Sequence, residues 1–191
     1  MLSIWISFFS NNDLVSFYRR NLPHYQSDNR AHFVTFVTKD RHLLPEWARQ
    51  IVLDSCIHGH DTKYNLRLAL VMPDHAHLIL TPLTDVPRAR MFSLHEILQA
   101  IKSYSARRIN EQLGRGGQVW QRESFDHVLR CSESLDAKAA YVLANPVRAR
   151  LVNLPEEYLW KWHKPFRACS GEPPGSPCRR PKRQKAIAAM P

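Results

Sequence analysis

Two apolar runs, Leu66-Arg-Leu-Ala-Leu-Val-Met72 and His75-Ala-His-Leu-Ile-Leu80, stand on either side of Pro73-Asp74. Broken by a proline and an aspartate, they predict paired strands joined by a hairpin or close bend. That constrains the chain sharply, because it sets His75 and His77 just past the turn, at a sheet end that a substrate can reach. Residues i and i+2 of a strand point to the same side, so both imidazoles can face one metal ion.

A second pair follows at Tyr141 and Asn145, in Ala139-Ala-Tyr-Val-Leu-Ala-Asn-Pro-Val147. On a helix, i and i+4 share a face, so a phenol and an amide oxygen are presented together. Either pair alone has a plain structural reading. Ten histidines make incidental spacings common, as in His58-Gly-His60, which is read as lying in a loop, and a lone tyrosine is usually part of a core. In combination, two imidazoles, a neutral oxygen and a nearby tyrosine hydroxyl point to metal-assisted phosphoryl transfer with a tyrosine nucleophile.

The segment Met72-Pro-Asp-His-Ala-His-Leu-Ile-Leu80 resembles the His-hydrophobe-His strand of the IS200-like single-tyrosine (HUH) transposases. Val119-Trp-Gln-Arg122, Phe125-Asp-His127 and Tyr141-Val-Leu-Ala-Asn-Pro-Val147 resemble later blocks of the branch associated with repetitive extragenic palindromes, the REP-associated tyrosine transposases. Arg19-Arg-Asn-Leu-Pro-His24, followed by Val34-Thr-Phe36, is similar to the start of that branch. Ala76 departs from it, standing where a bulkier β-branched residue is usual. The resemblance covers a catalytic domain over 18–165. It implies that His75 and His77 bind a divalent Mg²⁺ or Mn²⁺ ion with Asn145 as third ligand, and that Tyr141 attacks a DNA phosphate. It further implies a ferredoxin-like fold with the His strand in the middle of a central sheet.

The remaining pattern is compatible. Ala31–Thr38 alternates like a strand, and Leu44–Cys56 reads as a helix opened by Pro45. Ser93-Leu-His-Glu96 is a capping box, leading a helix with Leu94, Ile97, Leu98, Ile101, Ser105 and Ile109 on one face and Gly114 at its stop. Another strand ends near Arg130, and a helix runs from about Ser134 to Asn145, where Pro146 closes it. Strands and helices mix without a regular βαβ rhythm, which predicts an α+β fold with a mainly antiparallel sheet flanked by helices.

Charge is uneven. From Lys161 to Pro191 there are eight Lys or Arg against Glu172 alone, so of the net +10 the first 160 residues carry only +3. The stretch 166–191 is read as a basic, Pro-rich, disordered arm, and 1–17 as a leader outside the family pattern, too short to span a bilayer. Cys56, Cys131, Cys169 and Cys178 form no C-x-x-C pair, which fits a reduced cytoplasmic protein and neither a zinc knuckle nor a disulfide framework.

Candidate phosphate-binding residues are Lys102, Arg107, Arg108, Arg115, Arg122 and Arg130, the resemblance alone adds Arg19, Arg20 and His24 as contacts beside a hairpin foot, and Asp126 and His127 are possible support for the site. Trp120 and Phe125 are expected in the core, with stacking on unpaired bases as the alternative. The expected activity is cleavage and rejoining of single-stranded, hairpin-forming DNA through a 5′-phosphotyrosine, by a monomer or homodimer without membrane contact. Three other readings compete. A rolling-circle replication initiator or relaxase uses the same His pair and a tyrosine, but with a helicase or long accessory domain. A catalytically idle DNA-binding regulator has no need of all four residues, and a metal hydrolase without a covalent step has no need of Tyr141.

Overall fold

The computed structural model describes residues 30–129 and 132–165. The expected leader and basic arm, with Arg19, Arg20, His24 and Arg130, lie outside the described residues. Strands are β1 (His32–Thr38), β2 (Tyr64–Val71), β3 (His75–Pro82), β4 (Thr84–Asp85), β5 (Arg90–Met91), β6 (Trp120–Val128) and β7 (Lys161–His163). Helices are α1 (Glu46–His58), α2 (Leu94–Gln112), α3 (Ser132–Leu143) and α4 (Asn145–Arg148).

Five strands form one sheet in the order β6-β1-β3-β2-β7, every neighbouring pair antiparallel. The chain order β1-α1-β2-β3-α2-β6 within that sheet is the ferredoxin-like β-α-β-β-α-β arrangement. The α+β expectation therefore holds, and the His strand β3 is central.

Strands β2 and β3 send apolar residues to both faces of the sheet, because helices cover both. One face sends Val34, Phe36, Leu66, Ala69, Val71, Ala76, Leu78 and Leu80 into a core shared with α1 and α2. The other sends Phe33, Leu68, Leu70 and Ile79 against Ala139, Val142 and Leu143 of α3, with Tyr158 beside them. A bulge between Leu66 and Leu68 puts these two leucines on opposite faces. Between them Arg67 reaches α3, pairing with Asp136 at 2.6 Å.

Helix α2 follows its sequence pattern. Its buried residues are Leu94, Ile97, Leu98, Ile101, Ser105 and Ile109, and the Ser93–Glu96 box is formed in both directions. Arg90 adds a two-pronged pair to Glu96, at 2.8 and 2.9 Å. Gly114 takes the left-handed conformation (φ 58°) just past the helix end.

Three expectations are corrected. His58 is the last residue of α1, not part of a loop. The tyrosine helix stops at Leu143 and Asn145 opens a new short helix with Pro146 buried in its first turn. Proline lacks an N–H but suits the first turn of a helix, so Pro146 starts a segment here where it was expected to end one. Trp120 and Phe125 part company. Trp120 is core as expected, 3% exposed, edge-on to Phe36 and donating its indole N–H to Ser105 Oγ at 3.0 Å. Phe125 is 45% exposed, since β6 is an edge strand and α3 does not reach over it.

The close of α1 gives a stability test. A methyl group on Gly59 would lie 2.5 Å from Cε1 of Tyr64. That ring cannot retreat, being buried with its hydroxyl donating to Cys56 O at 2.7 Å. Gly59→Ala is expected to destabilise the fold by about 1–3 kcal/mol, read as a lower urea midpoint. Gly116→Ala, where nothing lies within 4 Å of the added methyl, is the control and should leave the midpoint in place.

Candidate active site on the central strand

The sheet register builds the site. His77 pairs with Thr35 on β1, and Thr35 in turn pairs with Phe125 on β6. Directly opposed residues share a face, so His75, His77, Phe33, Thr35, Phe125 and His127 all lie on the α3 side of the sheet. The two imidazoles meet edge to face, ring centres 4.7 Å apart, and Phe33 stacks on His77 at 5.5 Å.

Each ring is held through the same nitrogen. His75 Nδ1 lies 2.5 Å from Asp74 Oδ1, and His77 Nδ1 shares a 2.8 Å hydrogen bond with Thr35 Oγ1. The hydrogen bond to His75, with a second from Arg41 Nη1 at 2.8 Å, holds the Asp74 carboxyl down at about 2. That carboxylate can only accept, so His75 donates to it from a protonated Nδ1. Burial, reinforced by the charges of His75 and Lys138, pushes the His77 imidazole down to about 3. His77 is therefore neutral near pH 7. Both imidazoles are thus oriented by a partner on Nδ1, the arrangement that leaves the other ring nitrogen for a further contact.

Tyr141 stands at the end of α3, 48% exposed. Two cations flank it: Arg148 Cζ lies 4.0 Å from the ring centre and Lys138 Nζ 5.6 Å. Lys138 Nζ also sits 4.4 Å over the Phe33 ring, and both cations help to keep His77 neutral, which links the tyrosine helix to the His pair. Arg148 Nη2 donates to Tyr141 O at 2.6 Å and to Asn145 Oδ1, joining the tyrosine to the amide across the break after Leu143. Asn145 Oδ1 thus has a cationic donor as its partner. Among the described residues no cluster of three His, Cys, Asp or Glu side chains is gathered to hold a metal, and the two imidazoles stand together without a third such side chain.

The other candidates are dispersed. Asp126 pairs with Val34 and so faces the α1–α2 side, away from the imidazoles, while His127 shares their face opposite Phe33. Lys102, also on the α1–α2 side, donates to Gln121 O, Arg122 O and Ser124 Oγ at 2.6–3.2 Å, fastening α2 to β6. Arg107 and Arg108 are exposed on α2 beside Glu111, and Arg115 and Arg122 are exposed as well. Asp74, Thr35, Lys138 and Arg148 were missed by the motif reading. Asp74 abuts His75 in sequence and Lys138 lies one helical turn before Tyr141, but Thr35 becomes visible only through strand register.

The family model described as transposase, IS200-like, matches residues 25–144. Among solved structures, a REP-associated tyrosine transposase bound to a REP hairpin matches with TM-score 0.59 and 18% identity, over 74% of this chain and 81% of that one. A protein of Deinococcus radiodurans R1 assigned as a transposase matches with TM-score 0.38 and 23% identity, over 66% of this chain and 97% of that one. No curated protein matches the chain. No helix among the described residues is long and apolar enough to cross a membrane.

The neutral state of His77 carries a pH prediction. Its folded value, about 3, lies below the ordinary 6.5, so the unfolded chain takes up a proton that the folded protein refuses. Stability should fall as pH drops below about 6.5, by roughly 1.4 kcal/mol per pH unit from this group until the folded value is reached. His77→Gln, which cannot titrate, should show a correspondingly flatter dependence of the urea midpoint between pH 6.5 and 4.5. Parallel profiles for the two proteins would refute the buried neutral imidazole.

Proposed function

The chain belongs to the family of IS200-like transposases, and from that membership we propose that it cuts and rejoins single-stranded, hairpin-forming DNA in the cytoplasm, with Tyr141 as nucleophile. The observation that carries the reading is the pair of imidazoles held by their Nδ1 atoms on the face where the tyrosine helix packs. The hairpin form of the substrate, and the assignment to the REP-associated branch, draw support from the solved transposase of the same fold.

Each group has a role that follows from its surroundings. The hydroxyl of the half-exposed Tyr141 attacks the phosphorus, the bond to the 3′ oxygen breaks, and the strand leaves with a free 3′-hydroxyl while its neighbour stays on the enzyme as a 5′-phosphotyrosine. The phenol gives up its proton, and the departing 3′ oxygen gains one. Because the phosphotyrosine keeps the energy of the phosphodiester, a 3′-hydroxyl can reverse the step and join new ends. Lys138 and Arg148 set positive charge beside the reacting phosphate. His75 and His77 are the residues to hold a divalent ion, with Asn145 as third ligand once Arg148 releases its oxygen. When bound, that ion supplies charge against the non-bridging phosphate oxygen. Imidazole suits Mn²⁺ better than Mg²⁺, which prefers oxygen.

Tyr141→Phe removes only the hydroxyl and should abolish cleavage while hairpin DNA binding stays within a few-fold. His75→Ala and His77→Ala should abolish metal-dependent cleavage, and Asn145→Ala should lower it less, because water can replace an amide oxygen. Nicking assays on a labelled hairpin with single-stranded flanks read all four variants. Near wild-type nicking by Tyr141→Phe would end the covalent mechanism, and wild-type binding without nicking would favour an idle regulator.

A further inference from the structure

We propose that Phe125 is a stacking platform for one unpaired base of the DNA strand held at the His pair. This rests on the proposed function and adds a base-binding subsite to it. Phe125, Thr35 and His77 lie in one row across β6, β1 and β3 on the same face. Two strand spacings separate Phe125 from His77, roughly 10 Å, a span that one or two nucleotides of an extended strand can bridge. Helix α3 covers the β2 and β3 side of this face through Ala139, Val142 and Leu143, and leaves the β6 side open. The strip of sheet between them, on which Phe33 and Thr35 lie, is the trough of this proposal, with Lys138 over the Phe33 ring and Phe125 at its outer edge.

The ring is suited to this use. Phe33 holds it edge-on, with centres 6.4 Å apart and planes at 68°, so it is braced from the floor while 45% of the residue stays exposed. Its neighbours on the same row of β6, Glu123 and His127, are polar and exposed. A lone aromatic ring among polar side chains offers too little apolar area for a protein partner, but it matches the face of one base. Lys138 and Arg148 supply the positive charge that draws a phosphodiester strand along the trough, against the single carboxylate of Glu123 on that row. Base–aromatic stacking accepts every base, so the platform would hold position without reading sequence.

An abasic walk tests this. The probe is a hairpin oligonucleotide with single-stranded flanks, each flank nucleotide replaced in turn by an abasic site, titrated against wild type and Phe125→Ala. With wild type, one flank position should weaken binding ~10-fold or more. With Phe125→Ala that position should no longer stand out, the intact probe should bind as weakly as the abasic one, and Phe125→Trp should restore the difference. A 2-aminopurine at the same position should be quenched by wild type and not by Phe125→Ala. Wild type that binds and nicks the probe while the walk is identical in Phe125→Ala would overturn the platform and leave the proposed function standing. Wild type that neither binds nor nicks any such probe would overturn the proposed function, and the platform with it.

Discussion

Because β3 runs through the centre of the sheet with helices against both faces, none of its side chains is left to solvent by default. Ala76, Leu78 and Leu80 enter the core beneath α1 and α2, so the alternate residues His75, His77 and Ile79 must face α3. Two imidazoles on a largely buried face are tolerable only if their polar atoms are satisfied and their charge is suppressed. Asp74 and Thr35 meet the first condition, and burial with neighbouring cations meets the second for His77. The position of the tyrosine follows from the same constraint. Helix α3 lies where it does to cover Leu68, Leu70 and Ile79, and that packing brings Lys138, which also flanks the Tyr141 ring, over Phe33 next to His77.

Much of this was legible in residue patterns. The hairpin at Pro73-Asp74 and the capping box of α2 are local, and the six buried residues of α2 follow from helical period alone. What escaped depends on the order of strands and on which face each residue meets. Phe125 has the composition of a core residue, and only the edge position of β6 exposes it. Asp126 and His127, adjacent in sequence, separate to opposite faces because the strand period is two. Lys102 reads as a surface charge on a helix until the carbonyls of β6 are seen to accept its protons.

The break between α3 and α4 shows a related limit. Proline at 146 marks a discontinuity, but the sequence does not tell whether the helix ends there or starts again. Its restart places Arg148 within reach of both Tyr141 and Asn145. A guanidinium then does what an uninterrupted helix would have done through backbone bonds, keeping the phenol and the amide together while leaving both side chains on a surface that can adjust.

The attachment of Lys102 to the carbonyls of Gln121 and Arg122 reaches beyond the joining of α2 to β6. A nine-residue edge strand is an open template on which any other extended chain could grow by adding main-chain hydrogen bonds. Two consecutive carbonyls near its start are occupied by an ammonium group, which sets a positive charge where a further strand would begin to pair. A side chain placed to fasten a helix thus also puts a lysine charge beside an edge strand, the kind of residue that disfavours strand addition at sheet edges.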